Sequence, residues 1–195
     1  MIIKAPVKND NIIRELRIGD VFYVSGTIYT MRDQAHRRIL ELHTKPPIDL
    51  KGAVIYHCGP IVKRINEKWT VVSAGPTTSS RMDKYIPDLI REFGIKIIIG
   101  KGELSEKVVT ACRKYCAIYG IFPGGMGALA ARSIQEVLGV EWMDLGMPEA
   151  IWKLKVEKFG PVFVAIDAHG DSLLKNVKDI VRKNVDRLLS SICSD

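Results

Sequence analysis

The chain has 195 residues, of which 47% are hydrophobic and 26% charged, close to the averages of globular proteins. Its 29 lysines and arginines exceed its 22 aspartates and glutamates by seven, a surplus that favours anionic partners, from small carboxylates or phosphates to nucleic acid. No apolar run approaches the roughly 20 residues that span a bilayer, and the N-terminus lacks the long apolar stretch of a signal peptide. We therefore expect a soluble, cytoplasmic protein without membrane contact.

The four cysteines do not form a disulfide framework in a chain of this size, and their spacing does not make a metal site. Two of them, four residues apart, would share one face of a helix, but no second cysteine or histidine pair completes a set of four ligands. We expect structural thiols, and no metal bound by this chain alone, at Cys58, Cys112, Cys116 and Cys193.

Strands predominate in the first part of the chain. Apolar and β-branched residues predict a strand at 21–29, and the spacing of residues 30–33 is that of a capping box. A short helix follows, and its apolar face has Ala35, Ile39 and Leu42. Further strands are expected at 53–58 and 69–74, separated by a Gly-Pro turn and a polar segment.

Strands and helices then alternate. Helical spacing predicts helices at 82–93 and 105–116, and apolar runs predict strands at 95–100 and 117–122. A glycine-rich segment leads into a small helix that ends near residue 134, before strands at 137–145, 151–156 and 162–166. A C-terminal amphipathic helix is expected at about 172–190. This order predicts an α/β fold with a mixed sheet, in a single domain over 1–195 with a core at about 18–174.

Three polar segments follow apolar strands, where ligands gather in α/β sheets. Residues 75–81 (Gly-Pro-Thr-Thr-Ser-Ser-Arg) offer backbone N–H groups, hydroxyls and a guanidinium to an anion, although a capped loop with a solvated Arg81 fits equally. Residues 100–102 (Gly-Lys-Gly) bring Lys101 to the end of a strand, or form a tight turn with an exposed lysine. Asp33 and His36 would share one helix face, either as a site pair or as surface groups.

Weaker candidates remain open to a structural interpretation. Residues 123–127 (Pro-Gly-Gly-Met-Gly) could surround an oxyanion or mark a close crossing of strand and helix. Asp167 and His169 could pair, but a turn after a strand is favoured. His57, inside an apolar strand, is expected to be a core histidine. No nucleophile arrangement of the Ser-His-Asp or Cys-His type is recognisable.

The order of these motifs resembles the iron–sulfur hydro-lyases. The segments that carry the resemblance are Arg32-Asp-x-Ala-His36, Gly75-Pro-Thr-Thr-Ser-x-Arg-Met82, Ile-Gly-Lys-Gly102, Gly124-Gly and Glu149-Ala-Ile-Trp-Lys153. The chain is most similar to the β subunit of two-subunit class I fumarases and L-tartrate dehydratases, which corresponds to the C-terminal domain of single-chain class I fumarases. The similarity runs from about residue 18 to residue 174 and implies a swivelling β/β/α-type domain.

The resemblance also implies a division of labour between two chains. A separate α subunit would hold a [4Fe–4S] cluster whose open iron acts as a Lewis acid on the substrate, so that this chain would work in a hetero-oligomer. Substrate carboxylates would be bound by Arg32, Arg81 and Lys101, with help from Thr78. Thr77 would transfer the proton at the substrate carbon. Asp33 and His36 would position Arg32.

These expectations lead to one main interpretation and two alternatives. The main one is the β subunit of a hydro-lyase that converts malate to fumarate plus water, with a small dicarboxylate as substrate and no nucleic acid. The first alternative is an L-tartrate dehydratase β subunit. The second is a non-catalytic anion- or nucleic-acid-binding module, which the surplus of positive charge favours. A low aromatic content and the absence of an RNA-binding signature count against it.

Overall fold

A computed structural model of the chain describes residues 1–192, with side chains as far as Leu189. Cys193, expected to be a structural thiol, lies outside the described residues. These residues form nine strands, at Ile2–Ala5 (β1), Val21–Thr30 (β2), Val54–Tyr56 (β3), Ile61–Ile65 (β4), Lys68–Ser73 (β5), Ile97–Gly100 (β6), Ile118–Ile121 (β7), Ile134–Glu141 (β8) and Ile151–Ile166 (β9). The α-helices are Asn11–Arg14 (α1), Asp33–Leu40 (α2), Ile86–Phe93 (α3), Glu106–Tyr115 (α4), Gly127–Ser133 (α5) and Leu173–Ile192 (α6). Short 3₁₀ helices lie at Ser79–Met82 and Met143–Leu145.

Seven strands form one mixed sheet in the order β1-β2-β3-β6-β7-β9-β8, and β4 and β5 form a separate antiparallel pair. The strands from β1 to β7 in that order are parallel to their neighbours, whereas β9 is antiparallel to β2, β7 and β8. Because β9 pairs with β2 as well as with β7, the pairings of β2, β3, β6, β7 and β9 close into a ring. The mixed α/β sheet expected from the sequence is confirmed.

Alternate residues of the central strands enter two different cores. Ile97 and Ile99 of β6 join the cluster on one side of the sheet, where Phe22, Tyr56 and Phe159 are fully buried. The intervening Ile98 joins the cluster on the other side, beneath the helices α3 and α4. A strand that is buried on both faces reads as a continuous apolar run, and this explains the Ile-Ile-Ile sequence of β6.

The helix ends follow from local sequence signals. α3 ends at Gly94, whose φ of 67° is the left-handed conformation that glycine adopts at little cost. α4 follows Ser105, whose N–H and hydroxyl both donate to the carboxylate of Asp83. Over the part of the chain that the structure describes, no helix is both long enough and apolar enough to cross a membrane.

The structure differs from the sequence prediction at several elements. The strands expected at 151–156 and 162–166 are one strand, β9, because its polar middle section stays paired with β2 through register shifts. β8 ends at Glu141 rather than 145, and a 3₁₀ helix follows it. The short elements β1, α1 and β4 were not predicted. The helix expected to include Leu42 ends at Leu40, and Leu42 is 62% exposed.

Gly26 in the middle of β2 should not tolerate a larger residue. Its φ is 120°, and a Cβ placed there would lie 2.2 Å from the carbonyl oxygen of Ala5 on the neighbouring strand β1. We expect Gly26→Ala to lower the free energy of unfolding by about 2–4 kcal/mol, measured by urea denaturation.

Gly139 in β8 provides the matched control, because a Cβ there would meet no atom within 4 Å and its φ is not positive. Gly139→Ala should change the free energy of unfolding by less than about 1 kcal/mol. Equal effects of the two substitutions would show that the approach of β1 to β2 is not as close as described.

Candidate functional site

The polar segments predicted from the sequence meet at one edge of the sheet. β2, β3 and β6 are parallel neighbours, so the residues that follow them lie along the same edge. These residues are Arg32 and Asp33 after β2, His57 after β3 and Lys101 after β6. The segment 75–81, which we call the hydroxyl loop, follows β5 and is bonded to this edge.

Backbone hydrogen bonds hold the hydroxyl loop between the ends of β3 and β6. The Thr77 N–H donates to the His57 carbonyl over 2.7 Å, and the Ser79 N–H donates to the Lys101 carbonyl over 2.9 Å. Thr78, between these two bonds, forms a parallel bridge with Lys101. Two threonines and a lysine are therefore brought together by main-chain contacts, whatever their side-chain rotamers.

Arg81 and Asp33 form an ion pair with two hydrogen bonds. Arg81 Nε and Nη2 donate to the two carboxylate oxygens of Asp33 over 3.1 and 2.6 Å. We expected Asp33 to position Arg32, but its carboxylate binds Arg81 instead. Because the pair uses one edge of the guanidinium, the Nη1 side remains for a ligand. The Arg81 side chain is 50% exposed, so a ligand can reach it.

Glu149 orients Arg32. The Arg32 Nη2 lies 3.1 Å from Glu149 Oε1, and Glu149 Oε2 accepts the Gln34 N–H over 2.9 Å. Gly59 makes room for the guanidinium, since a Cβ there would lie 2.6 Å from Arg32 Nη1. The motif that contains Glu149 was recognised in the sequence, but no role was assigned to this residue. Its place just before β9, whose start pairs with the end of β2, is the signal that could have revealed it.

Among the described residues, Lys101 has no carboxylate partner, unlike Arg32 and Arg81. Its side chain passes the glycine-rich segment, where a Cβ on Gly124 would lie 4.0 Å from Nζ. Since Arg32 and Arg81 each have one carboxylate partner, the edge keeps about one uncompensated positive charge.

Two buried histidines lie beneath this edge. His36 Nδ1 donates to the Arg32 carbonyl over 2.7 Å, and His57 Nδ1 lies 2.8 Å from the Ser79 hydroxyl. Their rings meet edge to face, with centroids 5.1 Å apart. Burial lowers the pKa of His36 to about 4. Burial and the neighbouring His36 lower the pKa of His57 well below its usual range, so both rings are neutral at pH 7.

The weaker candidates have structural explanations. Gly127 of the glycine-rich segment lies close to the hydroxyl loop. A Cβ on Gly127 would lie 3.0 Å from the Gly75 nitrogen, which leaves no room for a larger residue. The Asp167 carboxylate accepts N–H groups of Ile18, His169 and Asp171, which makes it the centre of a turn. The ring of His169 bonds the Arg14 carbonyl.

The described cysteines are poorly suited to bind a cluster. Cys58, Cys112 and Cys116 are free and buried. Burial raises the pKa of Cys58 and of Cys112 to about 12 and raises the pKa of Cys116 as well. Such thiols stay protonated, whereas metal ligands must be thiolates. Among the described residues, no group of three or more His, Cys, Asp or Glu side chains is placed to hold a metal ion.

The arrangement is suited to a small anion with more than one carboxylate. Arg32, Arg81 and Lys101 present two planar guanidinium groups and one point charge along a single edge. Thr77 and Thr78 add hydroxyls on the same loop. Fixed cations beside a hydroxyl can also stabilise negative charge that develops on a bound carboxylate during proton removal.

Comparison with known proteins finds relatives over nearly the whole chain. The model of the family described as "Fumarase C-terminus" matches residues 3–177. The L(+)-tartrate dehydratase subunit beta of Escherichia coli K12 is 41% identical over 98% of this chain and 95% of its own length. A Methanocaldococcus jannaschii protein provisionally named L(+)-tartrate dehydratase subunit beta is 41% identical over 91% of this chain and 93% of its own length. A Geobacillus stearothermophilus protein provisionally named fumarate hydratase class I is 40% identical over 90% of this chain and 34% of its own length.

Acidification should destabilise the fold through His36. Its pKa is about 4 in the folded chain against an ordinary value of 6.5, so between these values the unfolded chain binds the additional proton. Stability due to His36 is therefore complete above pH 6.5 and is lost as the pH falls towards 4. We expect the titration of His36 to lower the free energy of unfolding by about 2 kcal/mol when the pH falls from 7 to 5. Urea denaturation at the two pH values measures this change.

A comparison of two variants separates this effect from other titrations. His36→Asn retains an N–H near the position of Nδ1 and removes the titrating ring, so its stability should fall by about 2 kcal/mol less over the same pH range. His43 is exposed, and His43→Asn should show the pH dependence of the wild type. An unaltered pH dependence in His36→Asn would contradict a buried, neutral His36.

Proposed function

Because the chain belongs to the fumarase C-terminus family, we propose that it is the β subunit of a hydro-lyase that interconverts (S)-malate and fumarate plus water. The observation that carries this proposal is the placement of Arg32, Lys101 and the hydroxyl loop with its Arg81 along one edge of the sheet. A C4 dicarboxylate offers two carboxylates, which match two guanidinium groups and an ammonium group on one edge. The E. coli and M. jannaschii relatives, by their names, make L-tartrate the second candidate substrate.

In this proposal the site is shared with a partner. The β-subunit names of two relatives favour an α subunit as the partner. The [4Fe–4S] cluster is what the resemblance to the iron–sulfur hydro-lyases implies. The cysteines among the described residues are buried and protonated and do not fit such a cluster, so its ligands are assigned to the partner. The contribution of this chain is to bind the substrate and to move a proton.

The arginines bind carboxylates in orientations that their acidic partners determine. Asp33 occupies the edge of the Arg81 guanidinium formed by Nε and Nη2, which leaves the edge formed by Nη1 and the second N–H of Nη2 for two parallel hydrogen bonds to a substrate carboxylate. Glu149 restrains Arg32 through one ion-pair contact, between Oε1 and Nη2. Arginines that are already oriented lose little side-chain entropy when the substrate binds.

Lys101 and Thr77 act at the reacting carbon. Removal of a proton next to a carboxylate places negative charge on that carboxylate, and a fixed ammonium group lowers the barrier for this step. The Thr77 hydroxyl transfers the proton, and the surplus of positive charge at this edge favours its deprotonated form. Thr78 donates a further hydrogen bond to the substrate.

The test is an anaerobic assay of the two-subunit complex, reconstituted from this chain and a cluster-bearing α subunit, on malate, fumarate and L-tartrate. We expect the complex to interconvert malate and fumarate, and this chain alone to be colourless and inactive. Activity on L-tartrate alone would favour the second candidate substrate. Inactivity of a cluster-loaded complex on all three substrates would overturn the proposal. Salt-sensitive binding of nucleic acid by the inactive chain would favour the binding-module alternative.

Thr77→Val should remove the proton-transfer group and keep the β-branched shape. We expect kcat of the complex to fall about 10²–10⁴-fold, the usual contribution of a positioned acid or base, with folding and subunit assembly unchanged. Thr77→Ser retains the oxygen and should retain far more activity. Steady-state kinetics and thermal melting of both variants measure the two effects.

Thr70→Val is the matched control, because Thr70 is exposed in β5, shortly before the hydroxyl loop. Its kcat should equal that of the wild type. If Thr77 is only a structural residue of the loop, Thr77→Val will melt at a lower temperature and turn over normally, which excludes the proton-transfer role.

A further inference from the structure

His57, which follows β3, and Ser79 of the hydroxyl loop form a buried polar pair that has no part in the proposed mechanism. The side chains of His57 and Ser79 are both 0% exposed, and His57 Nδ1 lies 2.8 Å from Ser79 Oγ. Neither can touch a substrate at the surface of the loop. Any contribution of the pair to the reaction must therefore act through other residues.

His57 contacts the loop at two places. Its carbonyl accepts the Thr77 N–H over 2.7 Å, while its ring bonds the side chain of Ser79, two residues further along. Its own N–H donates to Ile99 of β6 over 2.8 Å. One residue thus connects the central sheet to both sides of Thr78.

The sheet leaves a space for the Ser79 hydroxyl. A Cβ on Gly100 would lie 1.9 Å from Ser79 Oγ and 3.4 Å from the Cβ of His57, so any larger residue at 100 would displace the serine. The Ser79 N–H also donates to the Lys101 carbonyl. Ser79 is therefore inserted between the ends of β3 and β6, close to the backbone of the proposed substrate-binding lysine.

The buried imidazole of His57 lowers the stability of the fold in a way that an apolar side chain would not. Within the described residues, His57 Nε2 is buried without a hydrogen-bond partner. A buried unsatisfied group is destabilising, and a leucine or phenylalanine would fill the space without that cost. The bond from Nδ1 to Ser79 is the interaction that distinguishes histidine from those residues.

We infer that His57 is a positioning residue of the proposed hydro-lyase site: through Ser79 it holds the hydroxyl loop in the place where Thr77, Thr78 and Arg81 act on the substrate. This inference rests on the proposed function. His57 holds the loop as a neutral ring and exchanges no proton with the substrate. Misplacement of a reacting group by about 1 Å can cost 10²-fold in rate, so a loop that carries three site residues needs such an anchor.

The first experiment is independent of activity. Backbone hydrogen exchange of the segment 75–82 is measured by mass spectrometry in the full-length chain, for Ser79→Ala, His57→Leu and His57→Asn. We expect exchange at least about 10-fold faster in Ser79→Ala and His57→Leu, because the loop opens more often. His57→Asn places an amide near the position of Nδ1 and should restore slow exchange. Unchanged exchange in both Ser79→Ala and His57→Leu would overturn the inference.

The second experiment measures kcat of the same variants in the reconstituted complex, at a temperature where melting shows each to be fully folded. Ser79→Ala and His57→Leu should lose about 10–100-fold in kcat, with recovery in His57→Asn. Ser172→Ala, at a buried serine before α6, is the control: it should reduce thermal stability and leave kcat and loop exchange unchanged. Faster exchange with a normal kcat would overturn the positioning role.

The two proposals fail in different ways. If the wild-type complex has no activity on malate, fumarate or tartrate, the proposed function is refuted, and exchange rates alone show whether His57 anchors the loop. If the wild-type complex is active and the His57 variants equal it in kcat, the proposed function stands and the positioning role is refuted.

Discussion

Parallel pairing of β2, β3 and β6 is the constraint on which the site depends. Each strand ends at the same edge, so the residues that follow the three strands lie side by side. No contact between their side chains is needed to bring them together. The hydroxyl loop then adds to this edge through main-chain bonds to His57 and Lys101. Because these bonds involve only the backbone, the fold itself determines the position of the loop. The side chains on the loop determine the chemistry of the site.

Charge is the second organising feature. Each arginine of the edge has one carboxylate partner, Asp33 for Arg81 and Glu149 for Arg32, and these pairs fix orientation more than they add stability. Lys101 has no such partner among the described residues. The edge is therefore ordered by two ion pairs and still attracts an anion. His36 and His57 are neutral at pH 7 and therefore add no positive charge to the edge.

The sequence was most informative where one segment carries its own signal. The apolar run at 95–100 predicted a buried strand, and Lys101 after it was a candidate site residue. Pairings between distant segments carry no local signal: Asp33 and Arg81 are 48 positions apart, and Gln34 and Glu149 are 115 apart. The pairing of Asp33 with Arg81 and of Glu149 with Arg32 therefore could not be predicted without the strand order. The sequence predicted two strands, at 151–156 and 162–166, and only the pairing of β9 with β2 shows why one strand continues between them.

The exposure of the edge explains why a second chain belongs to the proposed site. Half of the Arg81 side chain is exposed, and Thr77, Thr78 and Lys101 are only partly buried. At such a surface, water screens the attraction between cations and a developing carbanion, so the barrier falls less than it would in a dry site. The hydroxyl loop is anchored on its buried side, where its Ser79 bonds His57, and its outer side is open. A partner that covers this outer side would exclude water from the site without displacing the residues that this chain has already placed.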